Sequence, residues 1–299
     1  MNMQQADIEK LIGFISVLYE KEASPEAVGW LGEKIQKVSE ADSPKELFLA
    51  FSAAPRFTGR GLLHPEKAEL EKAEALRPGF DPSNWTLAQT ARTLLLLATP
   101  SRDEGTFLTK TDQLFSTAEM GELVALYASL PLLPYPEAFR LRAAEGVRTN
   151  MGTVFDAIAL DNPYPADYLE EGAWNQMVLK TVFTGKPLYR IYGLEKCSNP
   201  TLARILSDYA HERWAANRLV TPELWRLVGP YINESLLGDI KKLFSHPDPL
   251  QQEAAALACS QGSFVKAKEL LEARPSLKKR IETGELSWDY IGKKSLTAI

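Results

Sequence analysis

Cysteine and histidine are both scarce in this chain of 299 residues. Cys197 and Cys259 are too few for a disulfide framework or a zinc site of CxxC type. With only His64, His211 and His246, a histidine-rich metal centre and an HExxH protease are excluded. The GxGxxG dinucleotide loop, the GxxxxGK[ST] phosphate loop and the GxSxG nucleophile elbow are missing as well. No metal and no cofactor is therefore expected. Long apolar runs are also lacking. The longest aliphatic cluster, Leu94 to Ala98, falls far short of the ~20 residues that span a bilayer. Basic residues are outnumbered, 34 against 39, for a net charge of −5. That balance argues against nucleic acid as a partner, because such binding rests on basic side chains. The N-terminal stretch MNMQQADIEKLIGFISVLYEKE shows no basic n-region and no small-residue cleavage site. A soluble, cytoplasmic chain without a transmembrane segment is expected, and two cysteines suit a reducing compartment.

Strand signals are absent too: no alternating β-branched run is closed by an Asn-Gly or Asp-Gly turn. What the chain does have is helical periodicity. Ile8, Leu11, Ile12, Ile15 and Tyr19 step by three and four, and so do Ala27, Trp30, Leu31 and Ile35. Leu87, Ala91, Leu94, Leu95 and Ala98 form a broader stripe. Ser24-Pro25, Ser43-Pro44, Asn199-Pro200 and Thr221-Pro222 each place a capping side chain before a proline at the first helical position. Ser43 with Glu46 and Ser116 with Glu119 have capping-box spacing. An all-α fold follows. The segment Ser245 to Cys259, a Pro/Asp turn leading into a small-residue helix, reads as one HEAT-type unit. Stacked units of this kind make an irregular α-solenoid, a HEAT-like helical repeat array. The alternative is a single globular helical bundle, because no fixed period runs through the chain. About 150 residues per domain allows two domains. The expected division is an N-terminal helical region, 1–60, and a helical array, 61–299. Two Gly/Pro-rich stretches, 57–65 and 77–83, are candidate seams, and a short helix around Trp288 followed by a frayed end is expected at the C-terminus.

Residues 142–231 differ in texture, with amides set among large aromatic side chains. That combination suits a pocket that orients a small polar ligand, and equally an ordinary core with caps. Asn150 flanks an apolar stripe of Met151, Val154, Phe155 and Ile158, where it either caps that helix or faces a ligand. The segment Asp161-Asn-Pro-Tyr-Pro165 reads as a rigid, non-helical turn presenting Asn162 and Tyr164, or as a plain connector. Helix 173–183 carries Trp174, Asn175, Gln176 and Lys180; a buried Lys180 would need an anionic partner, while an exposed one reaches water along its stem. Helix 200–217 places Asp208, His211 and Glu212 within one face, beside Trp214. A carboxylate next to a histidine is the usual arrangement for orienting an acid or base. The same face, with Arg204, lies opposite the core stripe of Leu202, Ile205, Leu206 and Tyr209, as an ordinary solvated face does.

Four runs carry a resemblance: Asn150-Met-Gly-Thr-Val-Phe-Asp-Ala-Ile-Ala-Leu-Asp-Asn-Pro-Tyr-Pro165, Ala173-Trp-Asn-Gln-Met-Val-Leu-Lys180, Asp208-Tyr-Ala-His-Glu-Arg-Trp-Ala-Ala216 and Pro222-Glu-Leu-Trp-Arg-Leu-Val-Gly-Pro230. Over about 140–231 the chain resembles the EboA family. The resemblance implies a bacterial protein of secondary-metabolite traffic, encoded beside a UbiA-type prenyltransferase, cyclase-like and TIM-barrel proteins and hydrolases. It implies no assigned reaction and hence no catalytic residues to carry over. Two functions follow. The preferred one is a non-catalytic binding or scaffold protein that presents Arg148, Asn150, Asn162, Tyr164, Trp174, Asn175, Gln176, Lys180, Asp208, His211, Glu212 and Trp214 to a small polar metabolite or a pathway protein. The alternative is an enzyme with His211 as acid or base, Asp208 or Glu212 orienting it, and Lys180 or Arg148 holding an anionic substrate. The enzyme needs His211 and Lys180 to converge on one enclosed cavity.

Overall fold

The computed structural model describes residues 5–296. Residues 1–4 and the frayed C-terminal end expected from the sequence lie outside them. The described residues are helical, with no strand and one isolated antiparallel bridge, Leu62 to Thr86. That bridge ties the first Gly/Pro-rich stretch to the residues just after the second: Leu63 N–H donates to Trp85 O at 2.8 Å and Leu87 N–H to Gly61 O at 2.7 Å. Among the described residues no helix is long and apolar enough to cross a membrane. The chain divides into two compact units, the first ending at Leu169 and the second starting at Glu170.

The first unit is organised around helix Leu87–Ala98, in which every residue from Leu87 to Leu97 is buried. A helix enclosed on all sides needs partners all round. Helices Gln5–Glu22, Pro25–Glu40, Lys45–Thr58 and Met120–Ser129 supply them. Its buried threonine hydroxyls bond within the helix. Thr90 donates to Thr86 O and Thr93 to Gln89 O. Arg92 reaches Phe51 O and Gly121 O at 2.9 Å each, with the Glu122 carboxylate 3.8 Å away. Burial lowers the pKa of Arg92, and Glu122 and Glu119 partly offset that. One guanidinium thus ties three helices together without leaving a buried charge alone.

The second unit centres on helix Pro249–Gln261, which packs against helices Trp225–Val228, Leu237–Phe244, Val265–Glu272, Pro275–Glu282 and Trp288–Leu296. Ala254, Ala255, Ala256, Ala258 and Cys259 are buried there. Their small side chains allow backbone to approach backbone, and burial pushes the Cys259 thiol up to about 12. A Cβ on Gly229 would lie 2.8 Å from Ala258 Cα, so only glycine fits this crossing.

Several helix starts follow the sequence. Ser24 accepts from Ala27 N–H and Asn199 from Leu202 N–H, each before a proline. Others differ. The capping box near residue 116 belongs to Glu119 and Glu122, not to Ser116 and Glu119. A carboxylate accepts the same N–H groups as a hydroxyl, so the spacing admits either register. At Ser43 the helix starts one residue late, with Pro44 at the cap position, while Ser43 Oγ accepts from Lys45 N–H at 3.4 Å. The turn after Ala159 is not wholly non-helical, because Tyr164–Tyr168 forms a short helix.

Candidate functional site

Helix Pro200–Ala215 forms one wall of a cleft of about 620 Å³ in the second unit. The helix starts where Asn199 and Pro200 dictate. Asn199 Oδ1 accepts from Leu202 N–H at 2.8 Å, and its amide is held by Asn175, Nδ2 of Asn199 donating to Oδ1 of Asn175 at 2.9 Å. Leu202, Ala203, Leu206 and Ala210 are buried. That anchoring leaves Pro200, Arg204, Ser207, Asp208 and His211 along the cleft, with Ala203 at its base. Tyr231, Ile232, Asn233, Ser235 and Leu236 form the facing wall. Asn233 sets that wall's shape: its Oδ1 accepts from Ser235 N–H, Ser235 Oγ–H and Leu236 N–H. This Asx turn leads the chain into helix Leu237–Phe244.

Three polar side chains facing the cleft have no hydrogen-bond or ionic partner among the described residues. Ser207 is 4% exposed, yet its hydroxyl does not bond the carbonyl one turn back, as helical serines commonly do. Arg204 and Asp208 are exposed and four residues apart, without pairing. Arginine preceding a carboxylate at this spacing is the less favourable order on a helix.

His211 is oriented by a residue that sequence reading did not select. Its Nε2 lies 2.8 Å from Oδ1 of Asp239, on helix Leu237–Phe244. The imidazole is half exposed, whereas the Asp239 side chain is largely buried. Asp239 Oδ2 is buried without a hydrogen-bond partner. Below His211, Trp214 stacks on the fully buried Trp225 with ring centroids 5.6 Å apart. Lys242 Nζ sits 3.8 Å from the centre of the Trp214 ring.

The other candidate residues take varied positions. Asp208 and His211 line the cleft, and Glu212 is exposed on the same helix outside its lining. Trp174 is buried in helix Glu171–Phe183, its indole N–H without a hydrogen-bond partner. Asn175 is buried against Asn199, Gln176 is exposed, and Lys180 is half-buried, which lowers its pKa. Lys180 does not line the cleft. Arg148, Asn150, Asn162 and Tyr164 belong to the first unit. Arg148 and Asn150 are exposed, and Met151 rather than Asn150 holds the cap position, with no side-chain cap bond. Asn162 is buried and fully used: Nδ2 donates to Tyr127 O at 3.0 Å and Ala157 O at 2.8 Å, and Oδ1 accepts from Tyr164 N–H. Tyr164 is fully buried, donates to Pro136 O at 2.5 Å and has its phenol pKa raised by that burial.

Ser207, Arg204 and Asn233, which line the cleft, and Asp239, which holds His211, are residues the sequence did not single out as a site. Ser207 and Arg204 had a signal, each four residues before His211 or Asp208. Asn233 and Asp239 arrive from another segment, and nothing local marks them. Among the described residues, no three or more histidine, cysteine and carboxylate side chains gather as a metal site would require.

The family model described as "Metabolite traffic protein EboA" matches residues 11–229. It includes the whole of helix Pro200–Ala215 and ends two residues before the facing wall begins. No curated protein and no solved structure matches the chain.

Proposed function

Because the chain belongs to the EboA family of metabolite traffic proteins, we propose that it binds a small polar metabolite in the cleft beside helix Pro200–Ala215 and passes it among proteins of one bacterial secondary-metabolite pathway, without catalysing a reaction. One observation carries this reading. Ser207 is a mostly buried residue whose hydroxyl opens on the cleft without a protein partner among the described residues, between an unpaired cation and an unpaired anion on the same wall. A cleft hydroxyl and two cleft charges without protein partners are free to bond a polar ligand in place of water. The volume lies within the range of small-molecule sites. The cytoplasm is the proposed location. Helix Pro249–Gln261, with helices from Trp225–Val228 to Trp288–Leu296 packed about it, favours the bundle alternative for the second unit over a HEAT-like array, whose repeats meet only their neighbours.

A second reading, an enzyme of the same pathway, is favoured by the His211–Asp239 contact at the cleft. There Asp239, rather than Asp208 or Glu212, orients the imidazole. It is the weaker reading, because Lys180 is not among the lining residues.

The test is native mass spectrometry of the chain purified from its own host, after dialysis against host extract. Ser235→Trp, at an exposed lining position, fills the cleft with an indole. The expected result is a small molecule enriched on the parent protein and lost from the folded variant. A molecule retained equally by both, or none enriched by either, overturns the reading.

A further inference from the structure

The cleft has opposite electrical character at its two ends. Pro200 marks the N-terminal end of a helix of 16 residues, the positive end of the helix dipole. Arg204 adds a full positive charge one turn along. Asp208 lies four residues further, about 6 Å along the axis at 1.5 Å per residue. Its carboxylate and the Arg204 guanidinium have no ionic partner among the described residues and do not neutralise each other. Between them stands the Ser207 hydroxyl, 4% exposed, able to donate and to accept. Ile232 and Leu236 supply apolar surface on the facing wall.

We infer that the ligand is a dipolar amino acid or a closely related amino-carboxylate, its carboxylate on Arg204 and its ammonium on Asp208. The inference rests on the cleft being the binding site, and it names the class of ligand. A purely anionic ligand leaves Asp208 opposing it, and a purely cationic one leaves Arg204 opposing it. A neutral polyol hydrogen-bonds both side chains but forms an ionic contact with neither. A ligand carrying both charges gives each side chain an opposite partner, the long Arg204 stem closing the distance along the helix, and the Ser207 hydroxyl bonds whichever head group reaches deeper. Its side chain lies against Ile232 and Leu236.

Isothermal titration of the full chain with the common L-amino acids, their N-acetyl derivatives and their amides tests this. At least one amino acid is expected to bind. Its N-acetyl and amide forms are each expected to bind about 10-fold or more weakly, the loss that follows from removing one charge-assisted contact. Arg204→Gln is expected to abolish the preference for the acid over the amide. Asp208→Asn is expected to abolish the preference for the free amine over the N-acetyl form. Both positions are exposed, so neither variant threatens the fold. Lack of binding by every amino acid, or discrimination that survives both substitutions, overturns the inference. Should Ser235→Trp release a host metabolite that lacks one of the two charges, the dipolar assignment fails while the cleft remains the site. Should amino acids bind Ser235→Trp as tightly as the parent, the cleft itself is wrong.

Discussion

His211 meets Asp239 across 28 residues of sequence, Nε2 to Oδ1 at 2.8 Å. The carboxylate is mostly enclosed and its second oxygen has no hydrogen-bond partner. His211→Ala is therefore expected to cost about 1–2 kcal/mol of stability, more than an exposed side chain ordinarily does, because it strips a largely buried carboxylate of its one hydrogen-bond partner among the described residues. In a double-mutant cycle with Asp239→Ala, urea unfolding is expected to return a coupling of about 1 kcal/mol. Strict additivity would mean that the contact contributes nothing in solution.

Glu223 gives a pH dependence with a definite sign. Its side chain is buried against the backbone N–H groups of Leu188, at 3.2 Å, and Tyr189, at 2.7 Å. Burial raises its pKa from 4.5 to about 7; those N–H groups and Arg226 oppose the rise, and Asp289 adds to it. The folded state thus keeps a proton that the unfolded chain has already lost. Below about pH 4.5 the residue is neutral in both states and carries no penalty. From there to about pH 7 stability falls, and above that the penalty is constant, on the order of a few kcal/mol. Glu223→Gln is expected to flatten the decline in melting temperature over this window. A decline as steep in the variant as in the parent would assign it to another group.

Two glycines of the second unit should respond to alanine in opposite directions. At Gly229 the new Cβ meets Ala258 Cα at 2.8 Å and Ala258 O at 3.0 Å, as well as the Gln261 side chain. Backbone cannot swing aside, so Gly229→Ala is expected to destabilise by about 1–3 kcal/mol or more. Gly238, inside helix Leu237–Phe244, has nothing within 4 Å of that position. Gly238→Ala is expected to stabilise by about 0.5–1 kcal/mol through the lower entropy of the unfolded chain. Thermal melts of the two variants side by side check both signs.

Asn175 and Asn199 exchange amide hydrogen bonds at 3.3 and 2.9 Å, and Asn199 in turn caps helix Pro200–Ala215. Asn175→Ala is expected to lower stability by about 1–2 kcal/mol, because the cap loses its support. Ligand retained per folded molecule is expected to stay unchanged. A variant that melts like the parent but no longer retains ligand would return Asn175 to the cleft.

The helical fold was legible because its signals are local. The stripes through Ile8 to Tyr19 and Leu87 to Ala98, and the caps at Ser24 and Asn199, each arise within one turn or two. The polar face of Arg204, Asp208 and His211 was legible for the same reason. Its partners were not. Asp239, Asn233 and Leu236 come from a segment whose sequence has no reason to mention His211. Asn162 and Tyr164 show the converse. Their spacing around two prolines suggested presentation to a ligand, whereas both side chains bond to backbone carbonyls inside the first unit.

The sequence by itself determined that this chain is helical and which faces of its helices are apolar. Periodicity and capping act over three or four residues, so no tertiary information is needed to read them. Only the tertiary structure decided which polar residues became caps and core, as Asn175 and Asn162 did, and which were left facing open space, as Ser207, Arg204 and Asp208 were. The physical reason is that a polar side chain's role depends on what packs within about 3 Å of it, and those neighbours are brought in by other parts of the chain.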